Sequence, residues 1–77
     1  MTKTFKVLTD NGSESLMRIT ELMRRKGCFL RKVTMEQDEN SALSDLTFTI
    51  GFKDKNIPNL ISQVERFQDV HSVKEII

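Results

Sequence analysis

The sequence predicts a two-layer α+β sandwich whose elements follow the order βαββαβ. Three observations support this fold class: four segments show the spacing of strands, two carry apolar residues at helical spacing, and turn-forming residues separate them. A chain of 77 residues fits one small domain, which we expect to span residues 1–77. That length leaves no room for an enzyme with separate cofactor and substrate domains.

The first strand and the first helix follow from the spacing of apolar residues. Residues 4–8 alternate, with Phe5 and Val7 on one face, and the next four residues favour a turn. Helical spacing begins at Ser13, which we expect to cap the helix, and Gly27 is expected to end it. The apolar positions of this helix, expected in the core, are Leu16, Ile19, Leu22 and Met23.

Two further strands are predicted on either side of a polar loop, residues 37–41. In residues 29–35 we expect the odd positions, beginning with Phe29, to face the core and the even ones, beginning with Leu30, to face away. Residues 46–52 place four large apolar residues on one face and Thr or Gly on the other. This pattern predicts a strand at the centre of the sheet.

A second helix and a last strand complete the order. Residues 53–56 favour a turn, and the apolar residues that follow recur at helical spacing, with Pro58 tolerated in the first turn. The apolar positions of this helix are Ile57, Leu60, Ile61, Val64 and Phe67. A final apolar segment, expected to form a strand, comprises Val70, Val73, Ile76 and Ile77.

These elements bury their apolar faces most simply when both helices cover one face of an antiparallel four-stranded sheet, the ferredoxin-like arrangement. Right-handed crossovers then place strands one and three in the centre, and strands two and four become edges that a second copy can extend. We therefore expect a homodimer through edge strands. The opposite sheet face is expected to carry a mixed set that contacts a partner or another domain: Lys6, Leu8, Leu30, Lys32, Thr34, Thr47 and Thr49.

Composition excludes several classes of function. The chain has 12 basic and 11 acidic residues, and a net charge of +1 predicts no nonspecific binding to nucleic acid. No apolar run approaches the roughly 20 residues of a membrane span, and the first residues lack the pattern of an export signal. We therefore expect a cytoplasmic protein that contacts neither membranes nor nucleic acid.

No residue pattern predicts a catalytic or metal site on this chain. Cys28 is the only cysteine, so the paired soft ligands of a metal-transfer site are absent. Two interpretations of Cys28 stay open: a small core residue, or a thiol acidified by Arg24, Arg25 and Lys26. His71 has no acidic residue at an orienting spacing in the sequence, which predicts a surface residue. We expect no catalytic residue, no metal and no cofactor on this chain.

The first helix contains a sequence motif that is more specific than the spacing of its apolar residues. Residues 16–27, LMRITELMRRKG, resemble the L-x-R-I-T-x-L-F-x-R-R-G stretch of ACT domains. The chain is particularly similar to the ACT domain of acetolactate synthase small subunits of the short valine-insensitive type. This resemblance implies a noncatalytic regulatory subunit in branched-chain amino acid biosynthesis. It also implies pairing through the ACT domain, and binding and activation of a thiamine-diphosphate-dependent large subunit.

The resemblance also implies a ligand site, because many members of the family bind valine at the ACT dimer interface. In the family an N-x-P-G-V-L loop leads into the helix and G-F-N-I leads out. This chain keeps Asn11 but has Glu14 at the Gly position and Phe29 at the Asn position. A charged side chain at Glu14 crowds and repels an amino acid's carboxylate, so we expect a weak or absent valine response. The implied ligand-binding positions are Asn11, Gly12, Glu14, Ser15, Leu16, Phe29 and Leu30.

Several interpretations stay open at this point. Asn11 is either an ordinary turn residue or a ligand contact. The basic residues of the first helix form either a solvated face that complements the helix dipole or a docking surface for a partner. These partner-binding candidates are Arg18, Arg24, Arg25 and Lys26. Two other functions also stay open: a free-standing ACT module that senses a small amino acid for another enzyme or regulator, and an unrelated ferredoxin-like interaction domain.

Overall fold

Six elements follow one another in the predicted order in the computed structural model, which describes residues 1–53 and 58–76. Their bounds are β1 Thr2–Thr9, α1 Gly12–Arg25, β2 Phe29–Gln37, β3 Ser44–Gly51, α2 Pro58–Glu65 and β4 Val70–Ile76. Most of the predicted turn after Lys53, the helical position of Ile57 and the strand position of Ile77 lie outside the described residues. Neither described helix combines the length and the apolar character that crossing a bilayer requires.

The four strands form one antiparallel sheet with the order β2-β3-β1-β4, which confirms the predicted central and edge strands. β1 pairs with β3 along its whole length, from Thr2 opposite Gly51 to Thr9 opposite Ser44. The other side of β1 pairs with β4. The fold is therefore the predicted α+β sandwich of ferredoxin-like type. We call the side of the sheet that faces away from the helices the open face.

One hydrophobic core lies between the sheet and the two helices. At its centre the rings of Phe5 and Phe48 stack with their centroids 5.3 Å apart. Both come from central strands, where alternation directs every second residue toward the helices, and burial of each such side chain stabilises the fold by roughly 1.5–3 kcal/mol. β3 ends at Gly51, so Phe52 follows the strand and is only partly buried. The buried core members are Phe5, Val7, Ile19, Leu22, Met23, Cys28, Leu46, Phe48, Ile50, Leu60 and Val64.

The predicted orientation of Leu30 is wrong because a bulge at Arg31 shifts the register of β2. Leu30 pairs with Ile50, and Lys32 pairs with Thr49, so Arg31 is an extra residue between two paired positions. An extra residue reverses the alternation on one side of it. Leu30 consequently lies on the helix side of the sheet, opposite a core residue, and not on the open face.

The same bulge moves Phe29, which was expected in the core, to the open face. Its ring covers Gly51, and the side chain is 51% exposed. The ring occupies the space that a side chain at Gly51 would need. Beyond the bulge, Val33 and Met35 lie on the helix side as predicted, because their partners on β3 are core residues.

Both ends of α1 are closed by recognisable caps, although the N-cap is Asn11 and not Ser13. Asn11 Oδ1 accepts a hydrogen bond from the N–H of Glu14 at 3.4 Å. The Asn-x-x-Glu spacing is that of a capping box, and Ser13 already lies inside the helix. At the other end Gly27 has a φ of 78°, and the next N–H donates to the carbonyl of Met23 at 2.9 Å. This Schellman motif confirms Gly27 as the helix end.

Candidate ligand site and partner surface

The loop between β1 and α1 lies directly against the adjacent ends of β2 and β3. Gly12 is buried there, and a Cβ atom on it would stand 2.8 Å from Met35 Sδ and 2.9 Å from Ser44 Cβ and Oγ. Packed side chains do not approach one another so closely, so a larger residue would have to displace the strand ends. Gly12 therefore allows a close approach that the position of α1 requires.

A cleft of about 270 Å³ opens beside this contact, at the N-terminal end of α1. Its lining residues are Asp10, Asn11, Gly12, Ser13, Met35, Gln37, Ala42 and Ser44. The volume lies near the lower end of the range for small-molecule sites. The positive end of the helix dipole favours an anionic group in its vicinity. The cleft therefore suits a small polar ligand better than a bulky apolar one.

Two of the predicted ligand residues, Asn11 and Gly12, line this cleft, whereas Glu14 does not. The Asn11 carboxamide oxygen is occupied by its role as the helix cap. Glu14 is exposed, and its carboxylate lies 3.6 Å from the Arg18 guanidinium one turn along the helix. The Glu14 side chain thus follows the helix surface and leaves the cleft open.

Ser15 is fully buried, and its hydroxyl belongs to a network that also contains Thr9, Arg18 and Asp69. Ser15 Oγ donates to Asp69 Oδ2 at 3.0 Å and lies 2.5 Å from Thr9 Oγ1. Arg18 Nη1 donates to the other carboxylate oxygen of Asp69 at 3.3 Å. The Asp69 main-chain carbonyl accepts from the N–H of Asp10 at 2.9 Å. Sequence reasoning missed Asp69 because it stands 54 residues after Ser15, beyond any local spacing.

The remaining predicted ligand residues lie away from the cleft. Phe29 and Leu30 pair with the last residues of β3, whereas the cleft adjoins the first residue of β3 and the end of β2. A strand of 9 residues separates these two ends by about 25 Å. Leu16 packs partly buried against the core. One copy of the chain therefore does not bring Phe29 and Leu30 together with Asn11 and Gly12.

Of the four basic residues predicted to contact a partner, two are engaged within the chain. Arg24 donates to the two carboxylate oxygens of Glu21 at 2.7 and 2.9 Å, and these bonds hold the pKa of the Glu21 carboxyl below its ordinary value. Arg18 is held by the network around Ser15 described above. Arg25 and Lys26 are exposed, and neither forms an ion pair with any residue that the structure describes. These two cations are the better candidates for docking.

His71 has a carboxylate partner that its sequence neighbours do not reveal. Its Nε2 lies 2.6 Å from Asp10 Oδ1, and both side chains are about half exposed. His71 lies within β4. Cys28 is buried at the opposite end of the sheet, so the imidazole cannot activate this thiol. Within residues 1–53 and 58–76, no group of acidic, His and Cys side chains is arranged to hold a metal ion.

The Cys28 thiol belongs to the core, with an exposed fraction of 8%. Burial raises the pKa of the Cys28 thiol, and the nearby charge of Lys26 opposes this rise less strongly. We expect thiol reagents to modify the folded protein far more slowly than the denatured chain near neutral pH. The unfolded chain ionises at the ordinary thiol pKa of about 8.5, so the free energy of unfolding should fall as pH rises above that value.

Urea titrations across the alkaline range test this expectation, with Cys28→Ala as the variant that lacks the thiol. The difference in stability between the two proteins should change with pH in favour of the variant. Rapid modification of the native protein at neutral pH would instead support the acidified thiol.

A model of the ACT domain family matches residues 11–73. A probable acetolactate synthase small subunit from Archaeoglobus fulgidus is 30% identical over 76 residues, which cover 99% of this chain and 48% of that protein. The chain therefore spans about half the length of this curated relative.

Solved structures share the whole arrangement of strands and helices. An acetolactate synthase small subunit from Thermotoga maritima superposes with a TM-score of 0.79 at 22% identity, covering 100% of this chain and 48% of that one. The ACT domain of a GTP pyrophosphokinase from Chlorobium tepidum superposes with a TM-score of 0.76 at 12% identity, covering 99% and 97%. At such identities the likeness is one of fold. Because the family model matches most of the chain, this protein belongs to the ACT domain family.

Proposed function

We propose that this protein is a noncatalytic small subunit of acetolactate synthase that binds the large catalytic subunit and activates it. The observation that carries the proposal is the similarity to a probable acetolactate synthase small subunit along 99% of the chain. The sequence of α1 supports the same assignment. Thiamine diphosphate and the bond-making steps would belong to the partner chain, and the product would enter branched-chain amino acid biosynthesis.

We further propose that two copies pair through β2. This edge strand has 9 residues, and most of its side chains are exposed. An unpaired strand edge offers backbone N–H and C=O groups to a second strand. Antiparallel pairing of two β2 strands would place Leu30 of one copy beside the cleft at Asn11 and Gly12 of the other, whereas the Phe29 side chain would stay on the open face. Only part of the split set of ligand positions would then meet across the interface.

Activation in this proposal requires binding energy and no covalent step. A subunit that binds the active conformation of its partner more tightly than the inactive one shifts the population toward activity. A tenfold shift needs about 1.4 kcal/mol of differential affinity, which a few exposed contacts can supply. Arg25 and Lys26 are available for such contacts, whereas Arg24 is already paired with Glu21.

We also propose that this activation responds weakly or not at all to valine. The Asn11 side-chain oxygen accepts the helix-cap bond, and the Ser15 hydroxyl donates its proton to Asp69. The Ser15 proton is therefore not available to an amino acid unless the bond to Asp69 breaks. Glu14 adds a negative charge in the first turn of α1, where the carboxylate of a ligand would otherwise be favoured.

Acetolactate formation by a purified large subunit, measured with and without this protein across a valine titration, tests the proposal. We expect stimulation that valine does not reverse. The double variant Arg25→Ala/Lys26→Ala should weaken stimulation, whereas Arg66→Ala, an exposed cation after α2, should not. Absence of stimulation by the folded protein would contradict the proposed role, and stimulation that valine reverses would contradict the proposed insensitivity.

Replacement of Glu14 by glycine is expected to raise the affinity for valine at least severalfold, because it removes the charge that repels the ligand's carboxylate. Titration calorimetry measures this affinity, and Glu39→Gly, in the exposed loop between β2 and β3, is the matched control. Unchanged affinity in Glu14→Gly would show that the Glu14 charge does not weaken binding. Saturable binding by the wild type without stimulation of a large subunit would favour the free-standing sensor, which the 270 Å³ cleft could serve.

A further inference from the structure

The part of β2 that follows the bulge carries one cation and one acid on the open face. Lys32 stands opposite Thr49 of β3, and Glu36 stands opposite Asp45. Neither Lys32 nor Glu36 forms an ion pair with another residue that the structure describes. Like charges opposite each other disfavour strand pairing, so Glu36 gains when a cation approaches from outside the sheet. Such an approach is open because β2 is an edge strand.

The bulge at Arg31 limits where a second strand can pair regularly with this edge. Side chains before and after a bulge alternate in opposite phase, so an unbroken partner strand matches only one of the two parts. The longer part is residues 32–37, in which even-numbered positions lie on the open face and odd-numbered positions on the helix side. Two copies related by a twofold axis contribute the same residues to their contact. The regular ladder between two copies is therefore built from residues 32–37 of both.

We propose that two copies pair antiparallel in the single register that is centred on Thr34, and that reciprocal contacts between Lys32 and Glu36 select this register. The register rests on the proposed pairing through β2 and specifies which residues meet. Thr34 then lies on the twofold axis opposite its own copy, and Lys32 of each chain stands opposite Glu36 of the other. Opposite positions of paired strands have Cβ atoms about 5 Å apart, which lysine and glutamate side chains easily span.

Registers displaced toward either end lose these contacts. An axis at Lys32 or at Glu36 would place two like charges directly opposite each other, which disfavours pairing. An axis at Val33 would leave Lys32 opposite Thr34. The same axis would place Glu36 opposite Leu30, which precedes the bulge and points to the other side of the sheet.

An axis at Met35 is the remaining alternative. It would place Lys32 opposite Asp38, which lies beyond the end of β2. The Asp38 carboxylate already accepts hydrogen bonds from the N–H of Asn40 at 3.0 Å and from the Ser41 hydroxyl at 3.3 Å. Only the axis at Thr34 therefore pairs an unengaged cation with an unengaged acid inside the strand, and symmetry repeats the contact twice.

The other edge strand lacks this complementarity. The described residues of β4 on the open face are Ser72, Lys74 and Ile76. No register of two β4 strands can therefore set a cation opposite an acid on that face. The register proposed for β2 also adds apolar contact on the helix side, where Val33 of each copy meets Met35 of the other. In one copy 48% of the Met35 side chain is exposed, and a second copy would cover part of it.

Disulfide cross-linking reads the register directly. In a Cys28→Ala background, Thr34→Cys places one thiol per chain on the proposed axis, where opposite Cα atoms lie about 4.5–5.5 Å apart, within the range of a disulfide. We expect this variant to form a covalent dimer on mild oxidation. Thr47→Cys in the same background is the matched control, since Thr47 stands opposite Thr34 on β3 and its two copies would lie three strand spacings, about 14 Å, apart. The control should cross-link at least tenfold more slowly.

Charge exchange tests the role of the two side chains. Lys32→Glu sets acid against acid across the axis, and Glu36→Lys sets base against base. In sedimentation velocity at low salt we expect each single variant to dimerise about tenfold or more weakly than the wild type. An equimolar mixture of the two should dimerise again, because each acid then meets a lysine. The double variant Lys32→Glu/Glu36→Lys should pair with itself but not with the wild type.

Matched controls separate this contact from a general effect of net charge. Lys6→Glu, on the open face of the central strand β1, makes the same change in net charge as Lys32→Glu and should dimerise like the wild type. If a charge-reversed variant fails to fold by circular dichroism, Lys32→Gln or Glu36→Gln replaces it. These neutral variants remove the attraction without adding repulsion, so they should weaken dimerisation by a smaller factor.

Two results would overturn the register while leaving pairing through β2 in place. One is a dimeric protein in which Thr34→Cys cross-links no faster than Thr47→Cys. The other is a set of folded Lys32 and Glu36 variants that dimerise as tightly as the wild type. A wild type that stays monomeric over a concentration series would contradict both the pairing and its register. Stimulation of the large subunit is measured separately, so failure of the proposed enzymatic role is distinguishable from all of these results.

Discussion

An aspartate in place of Phe48 is expected to unfold the protein. Phe48 is fully buried at the centre of β3, and its ring stacks on Phe5. Loss of a buried phenylalanine ring costs about 3–5 kcal/mol, and an unpaired buried carboxylate adds to that cost. A domain of this length has a free energy of unfolding of about 4–12 kcal/mol, so the substitution removes most or all of it.

Circular dichroism and urea titration of Phe48→Asp check this result. The matched control is Thr47→Asp, which places the same charge on the same strand but on the open face. We expect the control to remain folded with a loss of about 1 kcal/mol or less. A cooperatively folded Phe48→Asp protein would show that the assignment of faces in β3 is wrong.

Valine at Gly12 is expected to destabilise the fold by about 3 kcal/mol, at the upper end of the range for overpacking. The new Cβ atom would lie within 3 Å of both Met35 Sδ and the Cβ of Ser44. Met35 has a flexible side chain, but the Cβ of Ser44 is attached directly to the backbone of β3 and cannot rotate away. Relief of the overlap therefore requires movement of α1 relative to the strand ends.

Thermal and urea unfolding of Gly12→Val measure the loss, with Ser13→Val as the exposed neighbour that should change stability only slightly. Glycine has poor helix propensity, so the substitution would stabilise α1 by a few tenths of a kcal/mol if space were available. A variant as stable as the wild type would contradict the close approach of the loop to the sheet. The same variant should also lose any ligand affinity that the cleft provides.

The order of the elements can be predicted from the sequence because each element depends on the spacing of apolar residues within a short segment. Apolar and small polar residues alternate along β3 because one side of the sheet is buried. Leu60 and Val64 of α2 are four residues apart because they share one helix face. The strand order also follows from general rules of connection. Local physics thus determines the elements and, except at the start of β2, which of their faces are buried.

Features that depend on contacts between distant residues are not readable in this way. No local sequence pattern predicts the bulge at Arg31, since the position of the bulge is set by the pairing of β2 with β3. The N-cap role of Asn11 could have been predicted, because its spacing from Glu14 is that of a capping box. Ser13, however, is an equally suitable residue type for an N-cap.

Only part of the candidate site was predicted from the sequence, because its other residues come from distant parts of the chain. Asn11 and Gly12 belong to one continuous segment, and both line the cleft. Gln37 and Ala42, which complete the opposite wall, come from segments whose approach depends on the folded sheet. Asp69 holds Ser15 from another part of the chain, and the partner of His71 is likewise distant in sequence.

The central place of β1 has a consequence for how the chain is made. Its two neighbours are residues 44–51 and 70–76, so β1 leaves the ribosome well before its partners are synthesised. At roughly 5–20 residues per second, the interval before β4 emerges is about 3–12 seconds. During this time β1 presents an apolar strand with an open edge to chaperones and to other nascent chains. The hairpin of β2 and β3 is available sooner, and it gives β1 its first partner.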